Sequence, residues 1–495
     1  MTEEKIAFYL NDRAVSVSVP PAARVLDLIR NRFALFGTKE GCREGECGSC
    51  TVLLGRPEAF RISYRAVPSC LLAAAELDGN HLVTIEGLGA ATGGLPHPQR
   101  STPFQVAFVE EGAVQCGFCT PGLLMALTGY LLSGREVSVE GALDSIDGNI
   151  CRCTGYVSIK RAVASVIDGL APTGRVPNIE KLVEGGFLPP YFRDIPEKLH
   201  TLPREASQRL RPSREGGDQT LLAGGTDLLI QAGEALQEKG VLLLSRLGLP
   251  EAVGETTDGI SIPASLSIEE LRVNPIVNRF YPGLEEKLLL FASTILRNRA
   301  TVGGNLVNAS PIGDLSVLFT AFGAELILGP TDDGALEERR VKIEEFFLGY
   351  KRVDLKAGEI LKSIEIPKPK EGHRWGFARV AKRERLDIPA CSAGFALEFE
   401  APSVRSARIA FGGVSPVPLL ASSASAALEG TPLRWETVRD VAEIAQSEIR
   451  PIDDLRGSAA YRRVLTTRLL YALFLEVFPE HLDYAEIASE IGGTE

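Results

Sequence analysis

The sequence predicts a multidomain α+β protein with two separate sets of cysteine ligands. Three observations carry that expectation. At 495 residues the chain is long enough for several domains, each with its own core. Alternating strand-like runs and helical stripes follow one another with no internal repeat. Eight of the nine cysteines fall into two groups of four: Cys42, Cys47, Cys50 and Cys70, then Cys116, Cys119, Cys151 and Cys153. Only Cys391 stands apart, and an ordinary core position accounts for it.

The first element is a β-hairpin, KIAFYL and AVSVSV, alternating in character around the turn-prone pair Asn11-Asp12. A helix comes next, with Val25, Leu28, Ile29 and Phe33 at one-face spacing. The first cysteine loop and the strand TVLL complete a small α+β unit over residues 1–90, closed by the connector ATGGLPHP. Residues 91–171 read as helical. Thr102-Pro103 and Thr120-Pro121 have the form of an N-cap followed by a first-turn proline, and Leu123, Leu124, Leu127 and Leu131 make an apolar stripe. Ser158 is placed to cap a last helix carrying Ala162, Val163, Val166 and Ile167.

Seven prolines between 172 and 212 predict a linker over residues 172–216 that resists regular helix and lies over neighbouring domains. Beyond it, residues 217–370 and 371–495 form two further α+β segments. LILGP, ILKSIEIP and SARIAFGGV are their strands, and DLRGSAAYRRVLTTRLLYALFLEVF is a terminal helix with Leu465, Leu469, Ala472 and Leu473 near one face.

Composition excludes more than it assigns. A net charge of −11 argues against an extensive nucleic-acid surface. No apolar run reaches the ~18 residues of a membrane span, and MTEEKIAFYL lacks the layout of a secretory signal. A cytoplasmic location is the expectation. In such a setting, grouped thiols point to metal sites rather than disulfides.

The first cysteine group has the C-x₄-C-x₂-C…C spacing of plant-type 2Fe–2S ferredoxins, with Gly41, Gly45 and Gly48 letting the backbone approach the sulfurs. A four-cysteine zinc site is the alternative, but it more often pairs its ligands on two short knuckles. The second group combines CxxC with C-x-C. Its spacing fits a dinuclear cluster and leaves zinc open. Two glycine-pair loops, Ala223-Gly224-Gly225-Thr226-Asp227 and Thr301-Val302-Gly303-Gly304-Asn305, match no Rossmann or Walker pattern. Either an ordinary tight turn or a pyrophosphate cradle accounts for them.

The strings QCGFCTPG (115–122) and GNICRCTGY (148–156), following a ferredoxin-like motif, resemble the xanthine dehydrogenase/aldehyde oxidase family of molybdenum hydroxylases. Both glycine-pair loops, the continuation Asn308-Ala309-Ser310-Pro311-Ile312-Gly313-Asp314, and FFLGYKRVDLKAGEILKSIEIP are similar to the same family. The resemblance covers essentially the whole chain. It implies a β-grasp 2Fe–2S domain, a helical 2Fe–2S domain, an FAD-binding domain and a C-terminal flavoprotein domain. All eight grouped cysteines become cluster ligands. FAD is held by the two loops, through Ala223, Gly224, Gly225, Thr226, Asp227, Thr301, Gly303, Gly304 and Asn305, with Asp314 nearby. Phe291 matches an aromatic that stacks on adenine, although a core phenylalanine is its bland reading. Leu361 falls near the isoalloxazine, and Arg379 stands where many relatives have lysine. KRERLDI (382–388) resembles a family loop beside the flavin, or is a solvated charge run. Gln115 matches a glutamine that contacts molybdopterin on a partner. The resemblance further implies NAD⁺ as acceptor, a large molybdopterin-binding subunit and a heterotetramer of two small and two large chains, with neither nucleic acid nor membrane as partner. The reaction expected of the whole is hydroxylation of xanthine; an aldehyde or another N-heterocycle, or stand-alone NADH:acceptor reduction, are the alternatives.

Overall fold

The opening alternation becomes a twisted antiparallel pair, β1 (Glu4–Leu10) and β2 (Arg13–Val19), with Asn11 in the left-handed region at the turn. With β3 (Thr51–Glu58), β4 (Arg61–Pro68) and β5 (His81–Val83) they form one sheet, ordered β2-β1-β5-β3-β4, in which β1 and β5 run parallel. One face buries Ile6, Phe8, Val17, Val52 and Leu82 against the segment predicted as a helix. That segment is a single α-turn, Val25–Asp27, continuing as a π-helical turn, Leu28–Arg32. The coordinates form a computed structural model that describes residues 3–58, 61–89, 101–170, 176–202, 220–331, 337–485 and 487–488. The connector ATGGLPHP, along with Pro172, Pro203 and Pro212, lies outside them.

The other face of β3 and β4 carries Leu53, Ile62, Tyr64 and Ala66, which share a core with the helices Pro103–Glu110, Thr120–Leu131, Val139–Ser145 and Val157–Leu170. Gly129 is what allows this close approach: a Cβ there would lie 2.8 Å from that of Ala66. The helix Thr120–Leu131 is consequently buried all round from Gly122 onward, so the leucines read as a stripe are part of a fully enclosed cylinder. Thr102 caps its helix as expected, through a capping box with Gln105. Cys119, not Thr120, occupies the cap position of the second helix, and Ser158 falls inside the last helix, which starts at Val157.

Residues 176–202 contain more regular structure than their prolines suggested. Helices Ile179–Glu184 and Ile195–His200 flank a 3₁₀ turn, Pro190–Arg193. Pro190 and Pro196 sit in first turns, where the missing N–H removes no bond. Leu182, Phe187, Phe192, Ile195 and Leu199 are buried in the same core as the cluster-domain helices.

The chain divides into two compact units, residues 1–247 with 292–300, and 248–291 with 301–495. The segment 217–370 is therefore shared between them. In the second unit, a five-stranded antiparallel sheet runs Arg339–Lys342, Glu325–Pro330, Glu359–Pro367, Gly259–Pro263, Gly254–Glu255. A four-stranded antiparallel sheet follows, from His373–Val380 through Cys391–Glu400 and Ser403–Gly412 to Leu419–Leu420. The helices Ser422–Leu428, Trp435–Glu448 and Ala459–Val477 enclose a core with Phe395, Phe411, Leu470, Leu473 and Phe474. The terminal helix begins at Ala459, capped by Ser458. It buries Arg462, Thr466, Leu469 and Leu473, while Ala472 faces outward. Cys391 is buried and belongs to this core.

Candidate functional site: two cysteine centres and two glycine loops

The first cysteine loop is shaped by left-handed residues: Arg43, Gly45 and Gly48 all have positive φ. Glycine at 45 and 48 avoids the strain a side chain would bring, and a Cβ on Gly41 would lie 2.7 Å from the Cys47 sulfur. The eight grouped cysteines converge as four pairs. Cys50 and Cys70 stand 3.3 Å apart between sulfurs, and Cys116 and Cys153 stand 3.5 Å apart. Cys42 hydrogen-bonds to Cys47, and Cys119 to Cys151. Two thiols for each of two irons, twice over, is the donor set of two dinuclear clusters.

In each pair one thiol is held low. The hydrogen bond with Cys42 brings Cys47 down to about 5, and the one shared with Cys70 lowers Cys50. The Phe118 N–H, then Cys153, lower Cys116. Burial opposes ionisation of Cys151, but hydrogen bonds from Thr154 prevail. The partners Cys42, Cys70, Cys119 and Cys153 are pushed up. Each pair thus holds one sulfur towards thiolate, the form that binds metal, and its partner towards the neutral thiol.

The two loops are joined directly. The Ile150 N–H donates to the Cys47 carbonyl at 3.0 Å, and Asn149 Nδ2 donates to the Gly48 carbonyl at 2.9 Å. A Cβ on Gly122 would lie 2.2 Å from that same carbonyl. Sequence reasoning read GNICRC for its cysteines and missed the bridging role of Asn149, which the spacing alone does not encode. Gln115 lies exposed immediately before exposed Cys116.

The first glycine loop lies in the first unit. Ala223 to Asp227 connects the strand Thr220–Leu222 to the helical turn Leu228–Gln231, with Gly225 left-handed and Asp227 exposed. The second lies in the other unit. There Thr301 caps the turn Val302–Val307 by accepting from the Gly304 N–H at 3.0 Å, and a Cβ on Gly303 would lie 2.6 Å from that of Ala264. Beyond it, Asp314 opens the fully buried helix Asp314–Phe322. Arg379 Nη1 donates to Asp314 at 2.6 Å and to the Leu290 carbonyl at 2.7 Å, and Nη2 bonds the Asp387 carbonyl. The two residues read separately from sequence are one buried ion pair. Burial raises the Asp314 carboxyl to about 6 against the pull of Arg379. Asn305 Oδ1, Asp314 Oδ1 and Ser316 Oγ are buried without a partner among the described residues, which leaves polar capacity at this end of the unit. Phe291 is half-buried, and Leu361 is buried on the strand Glu359–Pro367. In KRERLDI, Asp387 accepts from the Arg383 N–H at 2.9 Å, so the run has internal structure, while Lys382, Arg383 and Glu384 face solvent.

Residues 8–76 match the family model for a 2Fe-2S iron-sulfur cluster binding domain, and 84–164 that for a [2Fe-2S] binding domain. Residues 199–369 match the FAD binding domain in molybdopterin dehydrogenase, and 377–477 the CO dehydrogenase flavoprotein C-terminal domain. Together the four matches span most of the chain and give it the iron–sulfur and flavin domains found in molybdenum hydroxylases. Molybdenum hydroxylases of both substrate types are similar to it. It is 29% identical to the xanthine dehydrogenase of Dictyostelium discoideum, over 96% of this chain and 40% of the relative. It is also 29% identical to aldehyde oxidase 2 of Cavia porcellus, again over 96% and 40%. The chain therefore spans about two-fifths of the length of these relatives. A carbon monoxide dehydrogenase structure from Hydrogenophaga pseudoflava, described as lacking the Mo-pyranopterin moiety, covers 53% of this chain and 91% of its own at 28% identity, with a TM-score of 0.50. The chain thus has domains for two 2Fe–2S clusters and FAD. Among the described residues no helix is long and apolar enough to cross a membrane.

Proposed function

We propose that this chain is the electron relay of a xanthine dehydrogenase, taking electrons from a molybdenum centre on a large partner chain and delivering them to NAD⁺. The observation that carries the reading is the convergence of eight cysteines into four pairs within two matched 2Fe–2S domains. When bound, the clusters supply one-electron transfer and the flavin converts single electrons into a hydride.

Cys42, Cys47, Cys50 and Cys70 would hold one cluster, and Cys116, Cys119, Cys151 and Cys153 the other. The Cys47–Ile150 hydrogen bond keeps the two loops in register. The loops at 223–227 and 301–305 would hold FAD, with Asn305 and Asp314 offering their unpartnered oxygens. Arg379 fixes Asp314 and places a positive charge at that end of the site. Phe291 and Leu361 would supply apolar contacts, and exposed Gln115 would meet the partner's molybdopterin. A heterotetramer and a cytoplasmic location remain part of this reading.

The equal identity to an aldehyde oxidase keeps an aldehyde or N-heterocycle as the second substrate reading. Reconstitution decides. The purified chain should let NADH reduce an artificial dye and should not hydroxylate xanthine. Adding the large chain should restore NAD⁺-dependent urate formation, and Gln115→Ala should weaken only the coupled reaction. Hydroxylation by this chain alone would refute the relay. Restored oxidation of an aldehyde, with xanthine inert, would change only the substrate.

A further inference from the structure

The short segment Ala292–Ala300 belongs to the same compact unit as both cysteine centres and the first glycine loop. Near its C-terminal end is Arg299, only 5% exposed and ion-paired with Glu76, itself 6% exposed. Arg299 Nη2 donates to Glu76 at 2.8 Å, to the Gly224 carbonyl at 2.5 Å and to the Leu71 carbonyl at 3.4 Å. Leu71 follows the cluster cysteine Cys70, and Gly224 is the first glycine of the flavin loop. Burying a guanidinium is costly unless its charge and donors are met; here both Nη groups are bonded and the charge is paired, while Nε has no partner among the described residues, so the Nη contacts hold the group in place.

The backbone makes the same link. A Cβ on Gly224 would lie 2.0 Å from the Arg299 carbonyl oxygen, so the loop rests directly on this peptide. Leu222 and Leu229, on either side of the loop, share one apolar core with Cys50, Cys70 and Leu71. Leu296 packs at Gly45, whose N–H hydrogen-bonds to the Cys70 sulfur.

We propose that Arg299 is a positioning residue that sets the first flavin loop in register with the buried Cys50/Cys70 pair. It touches neither cofactor. It acts through the Gly224 and Leu71 carbonyls, with Glu76 as its fixed anchor. The inference rests on the assignment of FAD to the loop at 223–227. It also gives Gly224 a different role from the one suggested by sequence: the missing side chain admits the Arg299 peptide as well as a pyrophosphate.

The test uses two conservative variants of the full chain. Arg299→Lys keeps the charge but cannot reach all three acceptors, and Glu76→Gln keeps the shape but removes the anchoring charge. Flavin is stripped, and FAD affinity is read by fluorescence quenching. The midpoint potential of each cluster is read by redox titration with electron paramagnetic resonance. Both variants are expected to keep full iron and both signals. FAD should bind roughly 10- to 100-fold more weakly, the scale of one lost charge-assisted hydrogen bond. The Cys50/Cys70 cluster should shift in potential while the helical-domain cluster does not. Either iron-replete variant binding FAD within about twofold of the parent, with unshifted potentials, would overturn the proposal. Should one variant fail to fold, the other decides. A parent chain that takes up no FAD would instead defeat the functional reading beneath it.

Discussion

The two cysteine centres lie in one compact unit and share the donor type, and each has one buried pair, yet the other pair is half-buried in the first centre (Cys42 and Cys47) and exposed in the second (Cys116 and Cys153). Cys50 and Cys70 are 2% and 0% exposed, packed among Leu26, Leu71, Leu222 and Leu229. Cys116 and Cys153 are exposed, with Phe118 and Val114 open to solvent beside them. The difference follows from the elements that present them. The first loop is pinned between a sheet and the helix starting at Thr120, whereas the second is made of two bends before helix N-termini at the surface. Solvent exposure and hydrogen bonding set cluster potentials, so two centres this unlike should differ in potential and in accessibility. The buried pair shares a core with the residues flanking the first glycine loop, and the exposed pair is open to solvent.

The largest effect should come from ligand replacement, and it should differ between the centres. Cys50→Ser should abolish one paramagnetic signal and also cost about 1–3 kcal/mol of stability, because a hydroxyl is left in an apolar core. Cys153→Ser should abolish the other signal with little change in thermal unfolding. Equal stability losses would show that the environments do not matter as argued. Next in size, Gly304→Val should remove flavin absorbance while iron stays at the parent level. Full flavin in that variant would remove the second loop from the site.

Asp314→Asn keeps the shape of the neutral side chain that burial favours, so it should remove the pH dependence this carboxyl confers while weakening the hold on Arg379. The native carboxyl itself should titrate near 6, seen by infrared difference spectroscopy and absent in the variant. Its folded value lies above its unfolded one, so its contribution to stability declines as pH rises from the ordinary aspartate range to about 6. The smallest effect has the opposite sign and belongs to the other unit. His81, hydrogen-bonded to Tyr64 at 2.8 Å, is lowered by burial to about 3. Stability contributed by its neutral form is present above the free histidine value and lost as pH falls toward 3. Between pH 7 and 5 that amounts to about 2 kcal/mol, measurable as a denaturant-midpoint shift that His81→Gln should reduce. An unchanged shift would assign the acid sensitivity elsewhere.

How much of this was legible in the sequence depended on whether the signal was local. The hairpin around Asn11, the strands from Thr51, Glu325, Glu359 and Ser403, and both cysteine groups could be read because period-two alternation and ligand spacing are written in consecutive residues. The prolines of 176–202 were misleading because their effect depends on position within a turn, which composition does not reveal. The stripe on Thr120–Leu131 was too narrow because a second layer, the sheet bearing Leu53 and Ala66, covers its other side. At the candidate site, Asp314 and Arg379 were named separately, 65 positions apart. Their pairing, like that of Arg299 with Glu76 and Gly224, is a long-range contact that no local pattern announces.

This one chain is expected to house two unlike 2Fe–2S centres and a flavin. Anaerobic reductive titration of the purified chain, followed by electron paramagnetic resonance with parallel metal and flavin analysis, tests it most directly. The expected result is about four irons and one FAD per chain, with two signals that appear at different potentials. About two irons with a single signal, or zinc in place of iron at either centre, would contradict it.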